Sequence, residues 1–336
     1  MKKILVLGGT GFVGAHVCEK LVREGWHVTV PTRRRANASH LQPLPTLTVL
    51  ELDVHNEAAL AQAVAGQDAV VNLIAILHGS PADFNRAHLA LPQKLARACA
   101  AAGVKVVVHV SALGANALQP EAAPSLYLRS KGQGEAVLMQ AAMGGGAQVG
   151  AQAGFALTIL RPSVIFGADD KFINLFAKLQ KLFPVMPLAG AHARFQPVWV
   201  EDVAQAVVRS LSKFSGAAAA APQVIEVCGP DVFTLKELVQ LSACLSGVRG
   251  GRGRPVIALP RWMGWIQALL MELAPGAPLM SRDNLASMQV DNVATGKWPG
   301  LEALGIKPSP LKPIAQDYLT QSQASYGLPG IRMKSR

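Results

Sequence analysis

The sequence predicts an α/β fold, a doubly wound parallel sheet with a smaller, mostly helical C-terminal lobe, on three observations. Short runs rich in Val, Ile and Leu alternate with helical stretches through the first half of the chain. The first run, Lys3–Leu7, ends in a glycine cluster that opens a helix. After Gly167 the alternation stops, and the remaining segments read mainly as helices.

Taken in order, Lys3–Leu7 is an apolar strand. From Phe12 to Arg23, Val13, Val17 and Leu21 recur at helical spacing. His27–Val30, Leu47–Leu52, Ala69–Leu73, Val104–Val110 and Ala156–Leu160 read as further strands. Glu57–Val64, Phe84–Ala102 and Leu126–Ala142 read as the helices between them. Strands joined by helices form right-handed crossovers and a parallel sheet covered on both faces. Val224–Val227 is expected to return to that sheet. Lys171–Leu182, Glu201–Leu211, Leu235–Ser246, Pro260–Leu273 and Leu311–Tyr318 are the later helices. The expected division is a sheet domain over 1–167, with 196–228 returning to it. A lobe then spans 168–195 and 229–330, followed by a basic tail at 331–336. The low-complexity stretches 143–154 and 215–222 read as surface loops.

With 336 residues, half of them hydrophobic and 16% charged, the chain has ample material for a core and is not a disordered protein. Its 32 Lys and Arg against 21 Asp and Glu give a net charge of +11, which favours an anionic partner such as a nucleotide or an acidic membrane face. No basic patch is interleaved with aromatic residues, so no nucleic acid is expected. Cys18, Cys99, Cys228 and Cys244 form no C-x-x-C pair and read as small buried hydrophobes in a reducing compartment. The histidines show no ligand spacing, and no metal is expected. The apolar run after Lys2 and Lys3 stops at Gly8, too soon for a signal peptide. No stretch reaches the ~18 apolar residues of a membrane span. The expected place is the cytoplasm, at most peripherally on the inner face of a membrane.

The loop Gly8-Gly9-Thr10-Gly11-Phe12-Val13-Gly14 satisfies G-x-G-x-x-G through Gly9, Gly11 and Gly14. Between a strand and a helix this pattern is a dinucleotide-binding fingerprint. The glycines permit a tight turn and close approach of the pyrophosphate, and the helix N-terminus faces the phosphates. These features predict a Rossmann-type domain. The second strand leads into Pro31-Thr32-Arg33-Arg34-Arg35, with no acid for ribose hydroxyls. A guanidinium suits a 2′-phosphate, so NADP(H) is preferred over NAD(H), with Arg33 and then Arg34 as its partners. Asp53 and Val54 are placed to touch the adenine; Asp53 could equally cap the following helix.

Tyr127 and Lys131 stand four residues apart, on one face of a helix that follows the fifth strand. Hydride transfer to or from a carbonyl uses such a pair: the phenol gives or takes the carbonyl proton. The ammonium is expected to lower the phenol pKa.

Six blocks resemble the short-chain dehydrogenase/reductase superfamily in its NAD-dependent epimerase/dehydratase branch. They are Gly8–Gly14, Asn72–Ala75, Ser111–Ala115, Tyr127 with Lys131, Leu160–Gly167 and Val198–Ala204. Phe195–Val198 and Ser281–Val293 resemble in particular the atypical group that includes the nucleotide-binding accessory subunit of respiratory complex I and its bacterial relatives. The resemblance implies that Leu73 and Ala75 line the cofactor with backbone groups, that Lys131 also binds ribose, and that Ser111 lies beside the nicotinamide. Pro162 and Val164 would cover that ring. It also implies that NADPH is structural in the accessory subunit and that fungal relatives serve ubiquinone biosynthesis. In active extended members a Ser or Thr follows the first serine of the fifth-strand block; here Ala112 and Leu113 stand there.

The expected function is an NADPH-dependent oxidoreductase acting on a carbonyl or quinone-related compound, with Tyr127, Lys131 and Ser111 at its centre. The alternatives are a non-catalytic nucleotide-binding assembly factor and a sugar-nucleotide epimerase or dehydratase. Trp262, Trp265, Ile266, Leu269, Leu270 and Leu273 form a stripe that ordinarily belongs to a core. Its other reading is an exposed face for an anionic membrane or a respiratory complex, which the neighbouring Arg249, Arg252 and Arg254 favour.

Overall fold

The computed structural model describes residues 2–144, 154–213, 221–274, 276 and 278–324. Residues 145–153 of the low-complexity stretch 143–154, residues 215–220 of the stretch 215–222, and the tail lie outside the described residues. Two compact units are present: residues 1–162, 201–227 and 295–307, and residues 163–200, 228–294 and 308–336.

The first unit is built on a seven-stranded sheet. Its strands are β1 (Lys3–Leu7), β2 (His27–Thr32), β3 (Leu47–Glu51), β4 (Ala69–Asn72), β5 (Val106–Val110), β6 (Ala156–Pro162) and β7 (Gln223–Val227). The spatial order is β7-β6-β5-β4-β1-β2-β3, and every pairing is parallel. A sheet of parallel strands needs both faces covered, and the central strands accordingly lack polar alternation: Ile4, Leu5, Val6 and Leu7 are all fully buried. The helices of this unit are α1 (Phe12–Arg23), α2 (Glu57–Val64), α3 (Leu91–Ala102), α4 (Leu126–Ala142) and α6 (Val200–Lys213); α5 (Ile173–Leu182) belongs to the second unit. One core cluster joins Leu60 and Val64 of α2, Leu95 and Cys99 of α3 and Leu138 of α4 to Leu5, Val70, Val107 and Leu157 of the sheet.

The strand order reverses at β1 and β4, the point of such a sheet where ligands bind outside the carboxyl ends. The expected helix Phe84–Ala102 is instead interrupted. A short helix, Pro81–Asn85, passes through a π-helical turn at Arg86–Ala90 into α3. Periodicity does not reveal such a turn, because a single extra residue per turn leaves the apolar pattern readable.

Residues 295–307 belong to the first unit through Glu226 of β7. The Glu226 carboxylate accepts from Thr295 N and Thr295 Oγ1, each at 2.7 Å, and Glu226 N donates to Pro299 O.

The second unit contains α5 (Ile173–Leu182), α7 (Leu235–Leu245), α8 (Arg261–Leu273), α9 (Arg282–Ser287), α10 (Leu311–Ala324) and several two- and three-residue strand pairs. Phe166, Ile173, Phe195, Leu238, Leu311 and Leu319 centre its core. Two sequence blocks knit it. Ser163 Oγ donates to Asn292 Oδ1 (2.6 Å), which also accepts from Val164 N. Gln196 donates from Nε2 to Gly229 O and accepts from Ala294 N at Oε1.

Two expectations are corrected. Cys244 is exposed, unlike Cys18, Cys99 and Cys228. The tryptophan stripe is not core: Trp262 is 65% and Trp265 48% exposed, because the helix turns its smallest residues, Gly264 and Ala268, inward. Among the described residues no helix is long and apolar enough to cross a membrane, and no cluster of His, Cys, Asp and Glu could hold a metal.

Candidate functional site

The glycine loop takes the form its sequence demands. Gly8 has φ +81°, and a Cβ there would lie 3.2 Å from the Leu73 carbonyl carbon, so the loops after β1 and β4 touch at this point. A Cβ on Gly14 would sit 2.2 Å from Gly8 O, which fixes glycine where α1 packs against the loop. At Gly11 the nearest obstacle to a Cβ is Gly8 O, at 3.3 Å. Phe12 and Val13 open α1, and Gly11 caps it without a side-chain hydrogen bond. The free N–H groups of that helix end, with its positive dipole end, suit a pyrophosphate.

A cavity of about 350 Å³ lies over the carboxyl ends of β1 to β4. Of the residues singled out by sequence, Gly8, Thr10, Arg33, Asp53, Val54 and Ala75 line it. Gly9, Gly11, Phe12, Val13, Gly14, Arg34, Leu73, Lys131 and Pro162 belong to the same unit but not to the lining, and Val164 belongs to the second unit. Asn37, His55, Ile74, Ile76 and Arg86 are lining residues that sequence reasoning missed. Arg86 arrives on the π-helical turn, and no local signal marked it.

The three arginines after β2 separate. Arg33 is exposed, lines the cavity and makes no ion pair among the described residues. Arg35 folds back on β3, its guanidinium donating to Val49 O. Asp53 is not the cap of α2: that role falls to Asn56, whose Oδ1 accepts from Ala59 N. Asp53 Oδ1 instead accepts from His55 N at 3.0 Å, which shapes the cavity wall. His55 has its pKa lowered by burial and then by Arg86, against the opposing charge of Asp53, with smaller lowering contributions from Lys94 and Arg33. Arg33 and Arg86 line the cavity together with the carboxylates of Asp53 and Asp83.

Ser111, Tyr127 and Lys131 gather where β5 ends and α4 begins. Ser125 caps α4, its side chain accepting from Leu128 N. Tyr127 packs on Ala112, Ala123 and Leu128. Its ring also meets His88 and Phe84 edge-on, at centroid distances of 5.6 and 6.4 Å. Lys131, 1% exposed, donates from Nζ to Val110 O at 2.8 Å, one residue before Ser111. Ser111 is 4% exposed, and its Oγ finds no hydrogen-bond partner among the described residues. An unmade hydrogen bond on a buried hydroxyl costs about 1–3 kcal/mol, and Ser111 Oγ shares this state with Thr158 Oγ1 of β6.

The expectation that Lys131 lowers the Tyr127 pKa is overturned. Although Tyr127 keeps some contact with solvent, the close packing around it pushes its phenol up to about 12. Burial also lowers the Lys131 ammonium to about 8, against the opposing charge of Glu135. At neutral pH the pair is therefore a phenol beside an ammonium.

His88 ties this cluster to the loop after β4, and sequence reasoning missed it. Its Nε2 accepts from Ile76 N (3.0 Å), so its Nδ1 is the donor to Ser130 Oγ (2.9 Å), which donates on to Tyr127 O. Burial, followed by the Lys131 charge, lowers the His88 pKa to about 3 and keeps it neutral for this role. A Cβ on Gly134 would lie 2.2 Å from His88 O, so α4 packs directly on the π-helical turn.

Comparison with known proteins bears on the family and the fold. Over 320 residues the chain is 31% identical to subunit 9 of the NADH dehydrogenase [ubiquinone] 1 alpha subcomplex of Mus musculus mitochondria, covering 91% of this chain and 77% of that one. Over 207 residues it is 27% identical to the ceramide reductase of Caulobacter vibrioides, covering 61% of this chain and 59% of that one. Its fold is similar to that of DesIV, a dTDP-glucose 4,6-dehydratase of Streptomyces venezuelae solved with NAD bound. The TM-score is 0.69 at 22% identity, covering 97% of this chain and 99% of that one. The model of the NAD dependent epimerase/dehydratase family matches residues 4–228, and with the parallel sheet and glycine loop described above it places this chain in that family.

Proposed function

We propose that this chain holds NADP(H) along the carboxyl ends of β1 to β5 and reduces a carbonyl, on a quinone-related or other small compound. The observation that carries this reading is the partnerless, buried Ser111 Oγ beside Tyr127 and Lys131. When bound, NADPH supplies a hydride for the carbonyl carbon. Tyr127, held as a phenol, donates its proton to the carbonyl oxygen; a phenol with a raised pKa suits donation better than abstraction. Lys131 places its positive charge near the oxygen on which negative charge develops. Ser111 Oγ donates a second hydrogen bond to that oxygen. The experiment is to follow NADPH absorbance in a small-molecule extract of host cells, with wild-type protein and with Tyr127→Phe. Loss of NADPH that depends on Tyr127 supports the reading, and identical traces refute it.

The preference for NADP(H) rests on Arg33, which lines the cavity and makes no ion pair among the described residues. A charge-assisted hydrogen bond contributes about 1.5–3 kcal/mol, so Arg33→Ala should weaken NADPH binding ~10- to 100-fold and leave NADH binding nearly unchanged. Calorimetric titration with both nucleotides checks this; equal losses for the two would remove the 2′-phosphate from the account. The pH profile follows from Lys131. Its lowered pKa means that the charged form persists below about 8 and is lost above it, so kcat/KM for reduction should be level near neutrality and fall beyond about pH 8. A rate still level at pH well above 8 would exclude the Lys131 charge from the rate.

The name of the mouse relative favours a second reading, in which NADP(H) is structural and the chain is a subunit or assembly factor of a respiratory complex. In that reading NADPH raises the melting temperature by linkage, and no substrate oxidises it.

A further inference from the structure

The second unit carries an apolar face with an unusual construction. In α8 the small side chains point in: a Cβ on Gly264 would lie 2.8 Å from Ala189 Cβ, and Ala268 is fully buried. The large side chains point out, with Trp262, Trp265, Ile266, Leu270 and Leu273 exposed. The patch continues through hydrogen-bonded neighbours. Gln267 Nε2 donates to Pro187 O, and Ile257, itself exposed, pairs opposite Pro187. Just before that strand, Leu182, Phe183 and Val185 are exposed as well. A contiguous apolar surface of this kind marks a binding face.

The charges around it identify the partner. Residues 171–188 and 247–271 hold Lys171, Lys178, Lys181, Arg249, Arg252, Arg254 and Arg261, and no Asp or Glu. The arginine loop is anchored beside the end of α5: Arg254 N donates to Gln180 Oε1 (2.7 Å) and Arg254 Nε to Gln180 O. Glu272, the acid at the far end of α8, is already paired with Arg282, whose guanidinium also lies 5.3 Å from the Trp265 ring. A second copy of this chain would bring cations against cations, which disfavours self-association through this face. A surface that is negative throughout and apolar beneath satisfies both features. We propose that this face rests on an anionic phospholipid bilayer. The indoles of Trp262 and Trp265 lie at headgroup depth, Ile266, Leu270 and Leu273 enter the acyl boundary, and the basic loop meets lipid phosphates. At 13 residues, α8 is too short to span the bilayer and lies along it. The inference is independent of the reductase reading.

The test is flotation of the full chain with phosphatidylglycerol–phosphatidylcholine vesicles and with pure phosphatidylcholine vesicles. Expected are binding to the anionic vesicles, weakening with added salt, and a blue shift of tryptophan emission. The double variant Trp262→Glu, Trp265→Glu should lose at least ~10-fold in vesicle affinity, and Arg249→Glu with Arg252→Glu should lose a similar amount. Both pairs are exposed, so circular dichroism and NADPH affinity should not change. Failure of the wild type to bind anionic vesicles overturns the proposal, as does binding that the tryptophan variant leaves intact. A stable wild-type dimer that the tryptophan variant dissociates also overturns it, in favour of a protein interface.

Discussion

Tyr127→Phe is expected to cut NADPH-dependent turnover by ~100-fold or more while leaving nucleotide affinity intact. The substitution removes one oxygen and keeps the ring, and the ring is what packs against Phe84, His88, Ala112 and Leu128. Folding should therefore be little affected. On the proposed reductase reading, what is lost is the proton donor for the carbonyl oxygen, a phenol whose raised pKa keeps it protonated across the neutral range. Steady-state kinetics with a melting curve and an NADPH titration on the same sample separates the effects. A small change in kcat with unchanged binding would move proton donation to another group. A large drop in melting temperature would instead show that the hydroxyl serves the fold.

Glu135→Ala should destabilise the first unit by about 3–5 kcal/mol, the usual cost of stripping one partner from a buried ion pair. Glu135 is fully buried, and Arg161 meets it with two hydrogen bonds, at 2.9 and 2.6 Å. The other side of the Arg161 guanidinium lies 5.6 Å from the Trp298 ring, so the pair joins α4, β6 and the segment 295–307. Without Glu135 a guanidinium remains buried with no counter-charge, and Lys131 loses the carboxylate that holds its charge up. The variant should thus also bring the alkaline fall in activity to lower pH. Replacing Glu135 and Arg161 together by apolar residues should cost less than the single change. Chemical denaturation of the wild type and the two variants measures this. A single-variant loss below about 1 kcal/mol would show that the pair contributes little to stability.

The sheet was legible because its strands are short runs rich in Val, Ile and Leu, and β1, β3 and β5 lead on to helices whose patterns are clear; α1, α2 and α4 begin and end where their patterns do. The glycine loop was legible because its steric demand, zero clearance at Gly14, leaves a sequence imprint. The π-helical turn was not legible, and with it Arg86 and His88 were missed, since the turn is set by packing of Gly134 on His88 O rather than by local propensity. The pairing of Glu135 with Arg161 joins residues 26 positions apart, and spacing alone cannot announce such a contact. The return of 295–307 to the first unit is equally non-local, held by Glu226. The tryptophan stripe is legible in its period and not in its direction. An apolar stripe carries no sign, and the small residues between, Gly264 and Ala268, decide which side packs inward.

The central claim is hydride transfer to a carbonyl at the Ser111, Tyr127 and Lys131 cluster. It is tested most directly with NADPH deuterated at the transferable position of its nicotinamide, incubated with the protein and the host-cell extract, and read by mass spectrometry. The account predicts that a small carbonyl compound gains the deuterium in its alcohol form, and that Tyr127→Phe abolishes the transfer. Bound NADPH that keeps its deuterium through prolonged incubation would contradict it and leave the nucleotide as a structural part of the protein.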